Sequence, residues 1–353
     1  MLVTAEHATA FASGLLRQLG ASGEDADVVA RSLIESDLRG HGSHGIRRLV
    51  PYAEQVSDGL VDPAAHPAVV PGTPPAAVVV DGRDAFGQLT AGLGVTTLLE
   101  RVPTTAVAVA VLRRCRHVGR LGEYVEALAN RGLVGIAFAN ADPTVAPWGG
   151  RDRMLGTNPT AWAVPSGDEA APLVVDFATS ATAEGKLSVA RDRGESVPPG
   201  LVLDAAGADS TDPADFYAGG ALLTFGAHKG YGLSVAFDLV AGLLSRTGSA
   251  SDPAYDQTFG TVLLALDVGA FVDLDDFRAD VEAFRARIHA SAPRQATAGG
   301  ALVPGEPEWQ ARALALRDGF EIAEATRTAL DKLADQLGAP TLDAHHPRSK
   351  EHS

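Results

Sequence analysis

The chain has 353 residues, of which 46% are hydrophobic and 21% are charged, and its formal net charge is -15. This length exceeds the size at which one hydrophobic core stops growing, so two lobes, or one large lobe with helical attachments, are expected. The acidic excess argues against a nucleic-acid partner, because binding to a phosphate backbone needs clustered cations. No membrane partner is expected, because no stretch approaches the roughly 20 uninterrupted apolar residues of a membrane helix.

The single cysteine, Cys115, has no partner for an internal disulfide. The N-terminus also lacks a basic segment followed by an apolar core and a cleavage site. Both features favour a reducing, cytoplasmic location. Although Cys115 lies two residues before His117, a packing role for its thiol is favoured over a reactive one.

The N-terminal stretch is predicted to be helical. Apolar residues recur at helical spacing through residues 11–19, and Ser22 resembles the cap of a second helix that ends near Gly40. A third helix is predicted to begin at Ser43 as its cap and to be kinked or interrupted by Pro51.

From residue 71 onwards, short apolar runs alternate with helical patterns, which is typical of an α/β fold. The predicted strands lie at 76–80, 105–112, 133–139, 161–164, 173–177 and 261–266. Helices are predicted near 89–101, 230–244, 274–289 and 322–337, and one more begins at Gly119.

This pattern divides the chain into four predicted parts. They are an N-terminal helical segment (1–70), an α/β domain (71–310), a C-terminal helical segment that packs back on the N-terminal part (311–340), and a flexible tail (341–353).

Gly40, Gly42 and Gly45 satisfy the GxGxxG spacing of a dinucleotide-binding loop. That loop works only where a buried strand delivers it to the N-terminus of a helix, and residues 31–38 instead resemble an amphipathic helix. We therefore reject this match, and no other segment has the pattern in the right context.

The same stretch carries two histidines that suggest different chemistry. His41 and His44 are spaced like a metal pair, but no third ligand is evident nearby, so a metal is not expected. His44 and Arg48 are four residues apart and are predicted to share one helix face, with the Ser43 hydroxyl at the cap. This predicts that the His44 imidazole, an acid–base group, lies beside the Arg48 guanidinium, whose planar pair of N–H donors suits a carboxylate.

His117 and Asp176 each lie at or beyond the end of a predicted strand, where α/β proteins place ligands. Three segments are weaker candidates: the Gly156–Pro159 turn, the helix entrance at 226–233, and the Pro304–Glu306 turn. The Gly156–Pro159 turn has an amide and a hydroxyl able to contact a ligand, although such a sequence by itself is more often only a turn. Lys229 and free backbone amides at the helix entrance are expected to hold an anion.

Taken in order, these segments resemble the type 2 malate/L-lactate dehydrogenase family. The matching pieces are RGHGSHG from Arg39, RHVGRLGEY from Arg116, GTNP from Gly156, VVDFATS from Val174 with GK at Gly185, HKGYGL from His228, and PGE from Pro304. They span most of the chain, and their joint occurrence is far more specific than any one of them.

The resemblance implies a non-Rossmann, mixed-sheet α/β fold in which loops hold a dinucleotide, NAD or NADP, and it implies a homodimer acting on a small carboxylate. Carried over by position, His117 matches the family's proposed catalytic histidine and His44 a second one, while Ser43 and Arg48 match substrate contacts. Thr157 and Asn158 are assigned to the substrate as well. The residues that fall on cofactor-contacting segments are Asp176, Phe177, Ala178, Lys229, Gly230, Pro304, Gly305 and Glu306.

Two positions depart from the family's pattern. Arg116 stands where many relatives carry a small polar residue, and Ala141 where some carry a serine that contacts the cofactor. Substrate and cofactor preference are therefore left open.

The sequence thus predicts hydride exchange between a nicotinamide dinucleotide and a small 2-hydroxy or 2-oxo acid. His117 is expected to move the hydroxyl proton, His44 to polarise the oxygen or orient the substrate, and Arg48 to hold the carboxylate. The alternatives are reduction of a cyclic imino acid, a metal-dependent lyase or hydrolase built on His41 and His44, and dinucleotide binding without turnover.

Overall fold

The computed structural model describes residues 1–167, 171–293 and 299–343. Most of the expected tail, residues 344–353, therefore lies outside the described residues. No helix among the described residues is both long and apolar enough to cross a membrane.

Helices are distributed along the whole described chain, and the two ends are mostly helical. The α-helices are α1 (Ala5–Gln18), α2 (Gly23–Leu38), α3 (Leu49–Ser57), α4 (Gly87–Thr105), α5 (Leu121–Ala129), α6 (Glu184–Arg193), α7 (Pro213–Tyr217), α8 (His228–Ser245), α9 (Leu274–His289), α10 (Glu306–Asp318) and α11 (Glu324–Leu337).

The strands form three sheets. They are β1 (Leu2–Val3), β2 (Ala68–Val69), β3 (Ala77–Asp81), β4 (Val107–Arg113), β5 (Leu133–Ala139), β6 (Thr160–Val164), β7 (Leu173–Phe177), β8 (Val202–Leu203), β9 (Asp209–Ser210), β10 (Ala221–Leu222), β11 (Thr261–Asp267) and β12 (Phe320–Glu321).

The main sheet has seven strands in the order β2-β3-β4-β11-β5-β6-β7. Within it β3 pairs with β4 in parallel, and the other pairings are antiparallel. The late strand β11 lies between β4 and β5, so the sheet is completed only after most of the chain has been placed. The predicted mixed α/β architecture is confirmed.

Alternating burial along the strands gives the main sheet two covered faces. Ala108, Ala110 and Leu112 of β4 are buried in a cluster with the apolar residues of α4 and α5. On the opposite face Phe138 stacks on Phe237 of α8, with ring centroids 5.0 Å apart. Helices on both faces therefore enclose the sheet, as expected for α/β layering.

A second hydrophobic cluster joins the two ends of the chain. Phe11 and Leu33 of the first two helices share it with Leu330 and Leu333 of α11. The short strand β1 also pairs with β12, with Val3 opposite Phe320. The C-terminal helices thus lie against the N-terminal ones, although α10 runs across the expected boundary at residue 310.

Candidate active site

The expected helix from Ser43 to Val50 is not formed, and this prediction was wrong. Gly42–His44 and Ile46–Arg48 are separate 3-10 turns, and Gly45 between them is extended, with φ -88° and ψ -156°. The regular helix α3 begins at Leu49, so Pro51 lies in its first turn, where a missing N–H costs little. Ser43 makes no capping hydrogen bond.

Asp37 of α2 fixes this break in the chain. One of its carboxylate oxygens accepts the backbone N–H of Ile46 at 2.6 Å. A Cβ at Gly45 would lie 1.9 Å from the other oxygen, so only glycine fits there. The three glycines of this stretch follow a helix, α2, and no buried strand precedes them, which agrees with rejection of the dinucleotide-loop pattern.

Burial raises the pKa of Asp37 to about 7, although the Ile46 hydrogen bond and the charge of Arg47 act to lower it. Because the folded pKa lies above the unfolded value, the carboxyl stabilises the fold at low pH, and this stabilisation is lost as the pH rises from about 4 through 7. Asp37→Asn keeps an acceptor oxygen and cannot ionise.

We expect the unfolding free energy of wild type to fall relative to Asp37→Asn across that window. A shift of about three pKa units corresponds to at most about 4 kcal/mol, and partial exposure of Asp37 makes about 2 kcal/mol the expected change. Denaturant titrations at pH 5 and pH 8 measure the difference. Parallel pH dependence in the two proteins would contradict the assignment of the raised pKa to Asp37.

His117 lies just beyond the carboxyl end of β4, where the chain passes the start of α4. A Cβ at Gly87 would lie 2.2 Å from the carbonyl oxygen of Arg116 and 2.5 Å from that of His117. The absence of a side chain at Gly87 therefore lets the first turn of α4 press against the backbone that carries His117.

The structure brings the two predicted histidines into direct contact. His44 Nδ1 and His117 Nε2 are 3.2 Å apart, and the rings stack with centroids 5.2 Å apart and an interplanar angle of 10°. Phe259 packs edge-on against His117 from the segment before β11. Residues 73 positions apart thus form one hydrogen-bonded pair.

Two further residues of this cluster were missed by the sequence analysis. His117 Nδ1 lies 2.8 Å from the hydroxyl of Tyr52 on α3, and that hydroxyl accepts a hydrogen bond of 2.8 Å from Nε2 of Gln88 on α4. Both side chains are almost fully buried. A buried tyrosine and glutamine have no recognisable motif, so only their partners in space reveal them.

The His44–His117 pair is buried and lies near the positive charge of Arg48. Burial, followed by the charge of Arg48, lowers the pKa of His44 to about 3, and the same causes with His44 hold the pKa of His117 well below its usual value. Burial raises the pKa of Tyr52 to about 12. At neutral pH both imidazoles are therefore neutral and the phenol keeps its proton.

The nitrogen atoms of the two rings differ in their surroundings. Both ring nitrogens of His117 face protein groups, His44 on one side and Tyr52 on the other. Nε2 of His44 has no hydrogen-bond partner among the described residues. His44 is thus the member of the pair with a nitrogen free for a ligand.

Arg48 lies beside the histidines, although not through the helix face that was expected. Its Nε donates to the carbonyl oxygen of Ser43 at 2.9 Å, and its two terminal nitrogens form no hydrogen bond within the described part of the chain. Arg47 is exposed and faces Asp37 instead. The Ser43 side chain packs against the start of α6 at Gly185.

Asp176, the penultimate residue of β7, lies next to the start of α5. One carboxylate oxygen accepts the backbone N–H of Gly122 at 2.7 Å. Burial raises the pKa of this carboxyl to about 6, against the charge of Arg120 and the Gly122 hydrogen bond. The other oxygen receives no hydrogen bond from the described residues, and the neighbouring Phe177 is 39% exposed.

The entrance of α8 lies against the chain that leaves β7. The backbone N–H of Phe225 donates to the carbonyl oxygen of Thr179 at 3.0 Å, and the ring of Phe225 contacts Phe177. A Cβ at Gly230 would lie 2.3 Å from the Phe225 carbonyl oxygen. Glycine at 230 therefore permits the close approach that puts the exposed Lys229 near residues 177–179.

Free backbone amides at this helix entrance were expected. The N–H groups of Lys229 and Gly230 donate to the carbonyl oxygens of Gly226 and Phe225, whereas those of Gly226, Ala227 and His228 donate to no backbone oxygen of the described residues. Anion binding by these amides and the Lys229 ammonium stays a prediction.

The Pro304–Glu306 turn packs on the other end of β7. The Val174 N–H donates to the carbonyl oxygen of Pro304 at 3.2 Å, and Gly305 has a φ of +94°. The Glu306 carboxylate is held by Arg285 at 3.1 Å and His289 at 2.9 Å, both on α9. Glu306 therefore anchors α10 to α9.

The Gly156–Pro159 turn is tied into the protein by Asn158. Both N–H groups of its amide donate to Ser234 of α8, and its oxygen accepts the Ala141 N–H. Asn158 thus positions the turn through protein contacts, and direct substrate contact by it or by Thr157 stays a prediction.

The spacing of His41 and His44 resembles a metal pair, but a metal was not expected there. His41 lies 3.9 Å from Glu308 of α10, and the described residues contain no group of three or more His, Cys, Asp or Glu side chains placed to hold a metal ion. Burial raises the pKa of Cys115 to about 12, as expected for a packing thiol. Arg116 is held by Asp84 at 2.7 Å.

Comparison with known proteins connects this geometry to one family. A family model described as malate/L-lactate dehydrogenase matches residues 3–331. A malate/(S)-sulfolactate dehydrogenase of Methanothermus fervidus is 31% identical over 343 residues, which cover 96% of this chain and 98% of that protein.

Two solved structures share the whole fold. A putative malate/lactate dehydrogenase from E. coli superposes with a TM-score of 0.91 at 33% identity and covers 98% of both chains. The delta1-piperideine-2-carboxylate reductase from Pseudomonas syringae has a TM-score of 0.83 at 30% identity, with 95% of this chain and 100% of that chain covered.

Proposed function

Because the chain belongs to the malate/L-lactate dehydrogenase family, whose members are 2-hydroxy-acid oxidoreductases, we propose that it exchanges a hydride between a small 2-hydroxy or 2-oxo acid and NAD or NADP. One observation carries this proposal. Two neutral histidines touch each other beside Arg48, whose terminal nitrogens have no hydrogen-bond partner in the described parts of the chain, and this unites a proton-transfer group with a carboxylate-binding group.

The residues around the end of β7 fit a nicotinamide dinucleotide. The free oxygen of Asp176 suits a ribose hydroxyl, the exposed ammonium of Lys229 suits a phosphate, and the exposed ring of Phe177 suits an aromatic base. Ala178 and Gly230 adjoin the same region, and the Pro304–Glu306 turn, at the other end of β7, is assigned to the cofactor as well. When bound, the nicotinamide supplies the hydride acceptor or donor at its C4 atom.

The free nitrogen of His44 places it nearest the substrate oxygen. We assign His44 Nε2 to take the hydroxyl proton in oxidation and to return it in reduction, because both nitrogens of His117 already face protein groups. His117 then shares the charge that His44 gains. This reverses the division of roles expected from the sequence, in which His117 contacts the substrate.

Arg48 is assigned to the substrate carboxylate. With Nε engaged by Ser43, the two terminal nitrogens can form parallel hydrogen bonds to both carboxylate oxygens. Holding the carboxylate fixes the adjacent carbon between His44 and the cofactor. The entropic cost of aligning the reacting atoms is then met on binding and does not add to the barrier for hydride transfer.

A panel of 2-oxo acids tested with NADH and with NADPH checks this function. We expect substrate-dependent consumption of at least one reduced cofactor by a malate-, lactate- or sulfolactate-like acid. Absence of turnover with every acid and both cofactors, in a protein that binds neither cofactor, would overturn the proposal.

Replacing Arg48 with lysine keeps the charge and loses the planar fork. Because a hydrogen bond to a charged group contributes about 1.5–3 kcal/mol, we expect kcat/KM to fall roughly 10- to 100-fold, with little change in cofactor Kd. Arg47→Lys is the matched control, since Arg47 is exposed and faces away from the pair. Equal losses in both variants would indicate general electrostatics instead of carboxylate binding.

A cyclic imino acid is the second candidate substrate, because the Pseudomonas syringae reductase shares the fold over nearly the whole chain. An imine has a nitrogen where the 2-oxo acid has an oxygen, so the same histidine pair would protonate it. Including a cyclic imino acid in the substrate panel separates the two candidates directly.

We also propose that the chain acts as a homodimer. The C-terminal half of α8 exposes Leu239, Val240, Leu243 and Leu244, which are 42–60% exposed in the isolated chain. A contiguous apolar face of this kind marks an interaction surface. Sedimentation equilibrium is expected to give twice the mass of 36.4 kDa, and a purely monomeric result contradicts the proposal.

A further inference from the structure

A buried chain of polar groups extends from the histidine pair into the protein. It begins at His44 Nδ1 and passes through His117 and the Tyr52 hydroxyl to the carboxamide of Gln88, with successive distances of 3.2, 2.8 and 2.8 Å. Gln88 is 2% exposed, and its Oε1 has no hydrogen-bond partner among the described residues. A buried acceptor without a partner is uncommon in folded proteins, and this one lies two hydrogen bonds from His117.

We propose that Gln88 is a positioning residue that, by presenting either its N–H or its carbonyl oxygen to Tyr52, selects which nitrogens of His117 and His44 carry protons. This inference rests on the proposed function, since it concerns the proton that accompanies hydride transfer. Gln88 acts through Tyr52 and does not touch the substrate.

In the arrangement observed, Gln88 donates its N–H to the Tyr52 oxygen. The Tyr52 proton then points to His117 Nδ1 at 2.8 Å, because the other acceptor that the described residues offer, the His117 carbonyl oxygen, is 3.5 Å away. His117 therefore carries its proton on Nε2 and donates to His44 Nδ1. His44 in turn carries its proton on Nε2, and presents an N–H donor to the ligand side.

A half-turn of the carboxamide reverses this order. The free Oε1 then accepts the Tyr52 proton, and the Tyr52 oxygen accepts a proton from His117 Nδ1. His117 Nε2 accepts from His44 Nδ1, which leaves a lone pair on His44 Nε2. The number of protons is unchanged, since each ring exchanges an Nε2 proton for an Nδ1 proton through solvent.

The arrangement with the Gln88 carbonyl oxygen towards Tyr52 is the one that serves the reaction in both directions. With the lone pair outward, His44 takes the hydroxyl proton of a 2-hydroxy acid, and the pair becomes singly positive. With that proton in place, His117 Nδ1–H still needs Tyr52 as an acceptor and Tyr52 still needs Gln88 Oε1. The carbonyl orientation of Gln88 thus supports both the base and its protonated form.

Other charges around the pair do not perform this selection. The ionisable groups that face the pair or Tyr52 are Arg48 and His41 in and just before the 3-10 turns, Cys115, Arg120 just before α5, and Glu123 and Tyr124 of α5. None of these groups forms a hydrogen bond to a ring nitrogen of His117, whose partners in the described structure are His44 and Tyr52. They set the background field, whereas Tyr52 and Gln88 decide the proton positions.

The test measures ring-nitrogen NMR shifts of the unliganded protein labelled with ¹⁵N-histidine, because these shifts distinguish protonated from unprotonated nitrogens. We expect wild-type His117 to be protonated at Nε2. In Gln88→Glu at alkaline pH, the carboxylate only accepts, so the His117 proton is expected on Nδ1. In Gln88→Met and Tyr52→Phe, the single tautomer is expected to give way to a mixture.

Kinetics supply a second readout. The acid limb of kcat/KM for hydroxy-acid oxidation is expected to move to higher pH by at least about one unit in Gln88→Glu, because a carboxylate stabilises the protonated pair. Tyr52→Phe keeps the ring packing on Phe86 and is expected to lower kcat roughly 10- to 100-fold, the usual value of a hydrogen bond to a charged group. Gln18→Glu and Tyr217→Phe, both at exposed positions, control for added charge and lost hydroxyl.

His117 ring shifts that stay at their wild-type values in Tyr52→Phe and Gln88→Met would overturn the proposal, even where these variants melt at lower temperature. The NMR readout needs no substrate. A protein without dehydrogenase activity but with the expected tautomer changes would refute the proposed function and leave the role of Gln88 intact.

Discussion

His44→Ala is expected to lower kcat by about 10² to 10⁴, the range found for a positioned general acid or base. The reason is that His44 Nε2 is the ring nitrogen of the pair without a protein partner in the described structure. Cofactor Kd is expected to stay nearly unchanged, because Asp176 and Lys229 belong to other elements. Stopped-flow kinetics with titration of the reduced cofactor measures both quantities.

His117→Ala and the double variant complete this experiment. Residues that act as one unit are strongly non-additive, so the double variant is expected to be no slower than the slower single variant. His66→Ala is the control, since His66 is exposed and pairs with Asp25 at 3.3 Å. A fully active His44→Ala beside an inactive His117→Ala would return the substrate-contacting role to His117.

Gly87→Ala is expected to disrupt the site without changing any polar group. The new methyl group would overlap the carbonyl oxygens of Arg116 and His117, so α4 and the chain carrying His117 must separate. Overpacking of this kind costs about 3 kcal/mol of unfolding free energy. A displacement of about 1 Å at a catalytic group lowers kcat roughly 100-fold, which is the activity loss we expect.

Gly92→Ala provides a matched control on the same helix. A Cβ at Gly92 has no neighbour within 4 Å among the atoms surrounding it. Alanine is favoured over glycine in a helix by about 1 kcal/mol, so this variant is expected to be slightly more stable and fully active. If both variants behaved alike in thermal melting and kinetics, close packing at Gly87 would not be what positions His117.

The sequence predicted the elements with strong periodicity and missed those without it. The alternating runs that form β4, β5 and β11 were recognised, and so was the long helix α8. The helix α10 was missed, because none of its residues is buried and it has no apolar stripe. The small sheet of β8, β9 and β10 uses strands of two residues, too short for any alternation.

Around the candidate site, the residue types were predictable and their geometry was not. Arg48 and His44 were paired by helical spacing, yet they meet beside His117 through two 3-10 turns separated by Gly45. The cause is a contact from Asp37, which the local sequence pattern does not reveal. Tyr52 and Gln88 reach His117 only through tertiary packing, so no motif could indicate them.

The most direct test of the whole account follows the hydride itself. A 2-oxo acid from the active panel is reduced with nicotinamide cofactor deuterated at the transferable C4 position, and the hydroxy acid is examined by mass spectrometry and NMR. The account predicts one deuterium on C2 of the product, and none when unlabelled cofactor is used in deuterated water. A product that takes its C2 hydrogen from solvent would contradict direct transfer between nicotinamide and substrate.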